Sequence, residues 1–303
     1  MDEVQRIHRV AAGAGGGRRE RQPTVRLALA QLDCVPGDPG ANLLRARSIV
    51  RTAAGDGADL VVFPELFTSG HAPAEPPAAV AVRADDERIA AVAAAGGKDV
   101  SVLLGFTEQG PDGRNYNAAA YCEGGQVAFI QRKVCLVNYH IFTEGRRFAA
   151  GTAIRTHPTS FGRMAILICN DAWQPALAAM AAYAGADILL IPANSADSEF
   201  SKLIETRQAW MQITQCYARL LQCHVVFVNR VGTEPGMRFW GRSHVVDHQG
   251  QLLTEAPPYD EAVQFASIGV EQARQWRNDV PLLGHRPLEA LREGLAQLEA
   301  GET

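Results

Sequence analysis

What this sequence lacks narrows it first. No stretch of its 303 residues is apolar for long enough to cross a bilayer, and residues 1–23 scatter arginines around a Gly/Ala tract with no apolar centre. A secretory leader is therefore not expected, and residues 1–23 read as a disordered N-terminal tail. The six cysteines (Cys34, Cys122, Cys135, Cys169, Cys216, Cys223) show neither CxxC nor paired spacing. That pattern excludes a disulfide framework and a zinc ribbon, and it fits reduced thiols in a cytoplasmic protein. Charge of one sign is also missing: 29 basic residues stand against 33 acidic ones, a net charge of -4, with no basic stripe. Neither nucleic acid nor an anionic membrane is thus an expected partner. No fixed-period repeat and no linker divides residues 24–303, which read as a single domain.

What the chain does have is a series of short, fully apolar runs stopped by turn formers, the mark of strands covered on both faces. Strands are expected at Val25–Leu32, Leu60–Phe63, Val100–Phe106, Met164–Ile168, Ile188–Ile191, Val225–Val228 and Ala262–Val270. Hairpins are expected for Asn117–Tyr121 with Gln126–Ile130, and for Ser243–Asp247 with Leu252–Leu253. Helical spacing marks a segment capped by Asn42 and ending near Gly55, then Asp85–Ala95, Pro175–Ala184, one long helix Glu199–Leu221, and Leu288–Leu298. Residues 138–151 have no clear period and read as a loop with short helical turns.

Three chemically distinct side chains share one position in this scheme. Glu65, Lys133 and Cys169 each sit directly after an apolar strand, at the edge where open α/β sheets build their sites. Taken singly, each has an ordinary reading: a solvated acid, a surface lysine, a buried structural thiol. Together they suit acyl transfer. A thiol attacks an acyl carbon, a carboxylate takes its proton and passes one to the leaving nitrogen, and an ammonium stabilises the oxyanion, helped by the backbone N–H of Asn170. Cys169 is expected where a strand turns sharply into a helix, whose free N–H groups and dipole would favour the thiolate.

These residues carry a resemblance. Phe63-Pro64-Glu65-Leu66, Arg132-Lys133 followed by Glu144 and Phe148-Ala149-Ala150-Gly151, and Ile168-Cys169-Asn170-Asp171-Ala172-Trp173 resemble, in order, the three signature segments of the nitrilase (carbon–nitrogen hydrolase) superfamily. Tyr116-Asn117, Pro192-Ala193-Asn194, Val228-Asn229-Arg230-Val231-Gly232 and Phe239-Trp240-Gly241-Arg242-Ser243 are supporting matches. The resemblance implies a four-layer α-β-β-α sandwich and a homodimer or higher homo-oligomer. It also implies a Glu65-Lys133-Cys169 triad, a thioester acyl-enzyme, no metal and no cofactor. Glu144 would position the lysine or the substrate, with Tyr139, Trp173 and Asn194 as further substrate-positioning residues.

Within the superfamily, Leu136 to Glu144 is most similar to the glutaminase part of glutamine-dependent NAD synthetase. The ammonia-using module of that family carries a Ser-Gly-Gly pyrophosphate loop in a second domain. This sequence has neither the loop nor room for the domain, so a standalone hydrolase is expected. Two positions depart from the common pattern: Cys135 where a histidine is common, and Leu220-Leu221 where a Glu-Asn pair is common. Ala172-Trp173 stands where carbamoyl amino acid hydrolases tend to present an arginine, which favours a neutral or amide-bearing small-molecule substrate. Trp173, Tyr139 and Phe142 are candidates for its apolar wall, with core packing as their alternative, and His140 is a weaker candidate for ligand contact. The expected reaction is hydrolysis of a carboxamide to an acid and ammonia. Acyl transfer to an amine, nitrile hydrolysis and a catalytically silent binding member remain open alternatives.

Overall fold

The computed structural model describes residues 24–301, the side chain of Lys202 excepted. The proposed tail at residues 1–23 lies outside the described residues. In chain order the first half contributes β1 (Val25–Gln31), α1 (Pro39–Gly55), β2 (Leu60–Val62), α2 (Pro77–Val80), α3 (Glu87–Ala93), β3 (Ser101–Gln109), β4 (Asn115–Glu123) and β5 (Gln126–Arg132). The second half adds β6 (Thr156–Thr159), β7 (Gly162–Ile166), α4 (Pro175–Tyr183), β8 (Ile188–Ala193), β9 (Ala196–Asp197), α5 (Thr206–Leu221) and β10 (His224–Asn229). It continues with β11 (Val231–Glu234), β12 (Met237–Trp240), β13 (His244–Val246), β14 (Leu252–Glu255), β15 (Ala262–Ile268), α6 (Val270–Asp279) and α7 (Leu288–Ala300).

Two six-stranded sheets carry the fold, one in the order β15-β1-β2-β3-β4-β5 and the other β14-β13-β10-β8-β7-β6. Because side chains alternate along a strand, each sheet sends one set of residues inward and one outward. Leu27, Leu29, Leu60, Val62 and Leu103 of the first sheet meet Met164, Ile166, Ile188, Leu190 and Val226 of the second in a core between the sheets. The outward set of the first sheet, including Ala28, Val61 and Leu104, packs on Ile49 and Val50 of α1 and Ile89 and Val92 of α3. The outward set of the second, including Ala165, Leu189 and Phe227, packs on Ala178 of α4 and Trp210 and Ala218 of α5. The result is the four-layer α-β-β-α sandwich, and burial on both faces explains why these strands read as unbroken apolar runs.

Strand direction brings the site together. β2 and β3 are parallel, while β4 is antiparallel to β3 and β5 antiparallel to β4, so β2 and β5 point the same way. Their following residues, Glu65 and Lys133, therefore emerge at one end of the sheet. In the second sheet β7, β8 and β10 are mutually parallel, which sends Cys169, Asn194 and Arg230 out at a common end.

Several element expectations need correction. α1 begins at Pro39, with the Asp38 side chain accepting from Ala41 N at 2.9 Å, so Asp38 and not Asn42 is the cap. Asn42 is buried and its amide instead binds Val35 N, Val35 O and Thr68 O. The single helix expected over Glu199–Leu221 is a short 3-10 turn (Glu199–Lys202), a break, and then α5, capped by Glu205. The strand expected to reach Val270 ends at Ile268, and α6 follows it directly. Edge strand β6 was not foreseen, because Pro158 weakens its strand signature. No helix among the described residues is long and apolar enough to cross a membrane.

Candidate active site

β2 ends just before Phe63-Pro64, and two residues on Leu66 takes a positive φ of 48°, so Glu65 sits within a tight turn. The turn lies so close to β3 that a Cβ on Gly105 would sit 2.1 Å from the Pro64 carbonyl oxygen. Only glycine allows that approach. Glu65 is 1% exposed, and its Oε1 accepts from Lys133 Nζ at 2.8 Å and from Asn117 Nδ2 at 2.7 Å. Its Oε2 is buried with no partner among the described residues. Lys133 is equally buried and donates to Glu144 Oε1 at 2.8 Å, while Glu144 Oε2 accepts from Val137 N at 2.7 Å.

Cys169 follows β7 on a backbone with φ of 47°, a left-handed conformation that L residues rarely adopt and that here turns the thiol off the strand. The segment continues as a five-residue 3-10 turn, Cys169–Trp173, and α4 starts only at Pro175. The expectation of a helix start that stabilises a thiolate is therefore corrected. Burial, with the nearby Glu65 carboxylate, pushes the Cys169 thiol well above its ordinary range, and Lys133 and the Asn194 backbone N–H only partly offset this. The resting sulfur carries its proton. Burial would also push Lys133 down, but the Glu144 and Glu65 carboxylates outweigh it and hold the ammonium charged. Glu65 is likewise driven up by burial and brought below its usual range by Lys133, with His71 and Asn117 contributing.

Asp171 locks these two halves together, a role that its reading as a turn former did not reveal. Fully buried, its Oδ1 accepts from Val134 N at 3.0 Å and Cys135 N at 2.7 Å, and its Oδ2 from Ile168 N at 3.1 Å. Asn170 Nδ2 adds a bond to Cys135 O at 3.0 Å. The stretch after Lys133 is thereby stitched to the turn bearing Cys169. Only the backbone of Cys135 takes part, which is why its side chain can depart from histidine. Burial pushes the Asp171 carboxyl up to about 6, against the pull of those N–H donors and of Lys133.

One cavity of about 170 Å³ is lined by Glu65, Lys133, Glu144, Cys169, Asn170 and Asn194. Tyr139, Phe142 and Trp173 form part of its apolar wall with Phe200 and Trp210, and His71 and Thr206 add polar groups; the last four were not singled out from the sequence. Tyr139, Phe142 and Phe200 pack edge to face or tilted with centroids 5.5–6.1 Å apart, and Trp173 meets Trp210 at 5.6 Å. Tyr139 remains 48% exposed at the mouth. His140 is exposed and packs on Phe200 at 5.8 Å, and it is not among the residues lining the cavity.

The supporting motifs form the scaffold beneath. Asn229 accepts from Ser195 N at 2.8 Å and donates to Ser195 O and Gly241 O. Arg230, fully buried, pairs with Asp33 at 2.8 Å and with Glu234, whose oxygens also accept from His71 N and Ala72 N.

The carbon-nitrogen hydrolase family model matches residues 26–278. An (R)-stereoselective amidase of Pseudomonas is 30% identical over 267 residues, 87% of this chain and 92% of the relative. A glutamine-dependent NAD(+) synthetase of Acinetobacter baylyi is 27% identical over 84% of this chain but only 46% of its own length, so the chain spans about half of that relative. A carbon-nitrogen hydrolase structure from Helicobacter pylori superposes with a TM-score of 0.80 at 24% identity, covering 90% of this chain and 99% of the other.

Proposed function

Because the chain belongs to the carbon-nitrogen hydrolase family, we propose that it hydrolyses a small carboxamide to a carboxylic acid and ammonia through a thioester on Cys169. The observation that carries this reading is the buried hydrogen-bonded chain Asn117–Glu65–Lys133–Glu144 in the wall of the cavity that Cys169 also lines. Since the resting thiol holds its proton, a base must remove it, and Glu65, ionised beside Lys133, has a free oxygen to do so. As the sulfur attacks the carbonyl carbon, the new oxyanion meets Lys133 Nζ and the backbone N–H of Asn170. Glu65 then returns the proton to the amide nitrogen, the C–N bond breaks and ammonia leaves. Water attacks the thioester with Glu65 again as base, releasing the acid and restoring the thiol. Lys133 stays an ammonium throughout and acts by its charge, held in place by Glu144.

The amidase relative supports amide cleavage, and so does the cavity. Among the described residues lining it, the carboxylates and the ammonium are Glu65, Lys133 and Glu144, already paired with one another, and the one further basic side chain is the imidazole of His71. No arginine and no second lysine is left over as a counter-charge for an amino acid carboxylate, which favours a neutral acyl group over glutamine. The test is a panel of small amides with ammonia release and intact-mass detection of an acyl adduct on Cys169. Activity and adduct are expected together, and both should vanish in Cys169→Ala. Ammonia release that persists in that variant would sink the proposal.

A further inference from the structure

The proposed reaction leaves several polar atoms of the cavity without work. Asn194 follows β8 and is 6% exposed, yet both atoms of its carboxamide are buried with no partner among the described residues. Thr206, the first residue of α5, is also 6% exposed, and its Oγ1 is buried and unpartnered in the same way. Both line the cavity above Cys169. Trp210 lies one turn after Thr206 and lines it too, so the first turn of α5 presents a hydroxyl and an indole to the same space. The backbone N–H of Asn194 works against the upward push that burial exerts on the Cys169 thiol, which places this residue toward the reacting end of the cavity they both line.

Buried donors and acceptors are normally paired, because leaving one unpaired forfeits its hydration for nothing. A carboxamide and a hydroxyl unpaired in a cavity walled by Trp173, Trp210, Phe142 and Phe200 therefore ask for a ligand group that both donates and accepts. Charge is not what they ask for, since neither side chain carries any. The volume of about 170 Å³ is close to that of a cavity that holds benzene, ~150 Å³, which suits an acyl group of a handful of heavy atoms.

We infer that Asn194 and Thr206 form a polar specificity subsite that recognises an uncharged hydroxyl substituent on the acyl chain of a small amide. This rests on the hydrolase reading above and names its substrate class: short hydroxy-amides in preference to plain aliphatic ones. Sites built to hydrogen-bond a substrate hydroxyl discriminate strongly against the analogue lacking it, because their own polar groups are then left unpaired.

The experiment compares kcat/KM for propanamide, 2-hydroxypropanamide and 3-hydroxypropanamide in the full chain, with acyl-Cys169 followed by mass spectrometry. One hydroxy-amide is expected to exceed propanamide by at least about tenfold. That ratio should collapse toward one in the near-isosteric Thr206→Val and in Asn194→Leu, and persist in Thr206→Ser. The ratio is the readout because losses common to both substrates cancel from it, so impaired folding of one variant does not imitate the result. If propanamide is cleaved and acylates Cys169 but no hydroxy-amide is preferred, or the preference survives in both variants, the subsite is wrong and the hydrolase reading stands. If no amide in the set acylates Cys169 or releases ammonia, both fall together.

Discussion

Two trios, each a fully buried cation between two carboxylates, sit a short way apart in this molecule and differ in what their oxygens touch, although Asp33 of the second is 40% exposed. In the Glu65–Lys133–Glu144 trio one oxygen, Glu65 Oε2, has no partner and the group lines a cavity. In the Asp33–Arg230–Glu234 trio both Glu234 oxygens are occupied, by Arg230 and by the N–H groups of His71 and Ala72. The guanidinium also stacks over Phe239 at 4.4 Å. Burial alone thus does not mark a reactive cluster. An unfinished hydrogen-bond set facing a space does, and a finished one marks a clamp, here the one holding His71 on the cavity wall.

The sharpest way to break this comparison is to change one member of each trio and read both activity and stability. Glu65→Gln keeps the shape and leaves Lys133 with Glu144 as counter-charge. On the proposed mechanism it should lower kcat by about 10²–10⁴-fold, with little change in the denaturant midpoint. Arg230→Met should do the reverse. Removing one partner of a buried pair leaves Glu234 uncompensated and costs about 3–5 kcal/mol, seen as a lower urea midpoint, while the fraction that remains folded should keep most of its activity. If Arg230→Met abolished turnover at full stability, the assignment of the second trio as a clamp would be wrong.

What could be read from the sequence follows the same division. Glu65 and Cys169 were legible because each follows a strand whose apolar run announces itself, and Lys133 because it follows the second strand of a hairpin that points the same way as β2, although β5 itself is mostly not buried. The four layers were legible only through the family resemblance, since apolar runs do not say how sheets stack. The walls of the cavity were not legible. Phe200, Thr206 and Trp210 come from a segment expected to be one continuous helix, and the break at residues 203–205 resets which residues face inward. Asp171 looked like any turn former, for nothing local says that its carboxylate reaches two backbone N–H groups far along the chain. α6 was missed because Glu271, Gln272, Arg274, Gln275 and Arg277 make it polar, with only Val270 and Ala273 buried.

A smaller effect separates groups that bury a neutral form. His244 and His224 are each pushed by burial from 6.5 down to about 4. His244 Nδ1 faces the Arg242 carbonyl at 2.9 Å and so carries its proton, and Nε2 faces Thr214 Oγ1 at 2.8 Å. A histidine depressed in the native state is taken up by protons first in the unfolded chain, so stability is complete above about 6.5 and drains away as pH falls toward 4. Each can account for roughly 3 kcal/mol over that window. Asp171, raised from 3.8 to about 6, works the other way, since the native state binds its proton first and gains stability as pH falls through 6. Two histidines against one aspartate leave a net loss in acid. His244→Gln, which cannot titrate, should be less stable than the native chain at pH 7.5 yet lose less between pH 7 and 4.5 in urea titrations. An unchanged acid slope would count against His244 as a source of it.

The smallest expected effect tests whether the stitch between the trio and the nucleophile turn is made by backbone. Cys135 touches Asp171 through its N–H at 2.7 Å and Asn170 through its carbonyl at 3.0 Å, and its side chain is only partly buried. Neither bond depends on what the side chain is, provided the backbone keeps its path. Cys135→Ser should therefore shift stability by no more than about 0.5 kcal/mol, as expected for a position whose side chain makes none of the mutationally costly contacts. By contrast Asp171→Asn, with its oxygen kept on Val134 N and Cys135 N, turns a donor toward Ile168 N and should cost more, since that buried N–H is left without an acceptor. Urea midpoints for the two variants decide it. If Cys135→Ser proved the more damaging of the pair, the sulfur itself would have to be part of the junction, and the departure from histidine at this position would be a functional choice rather than a tolerated one.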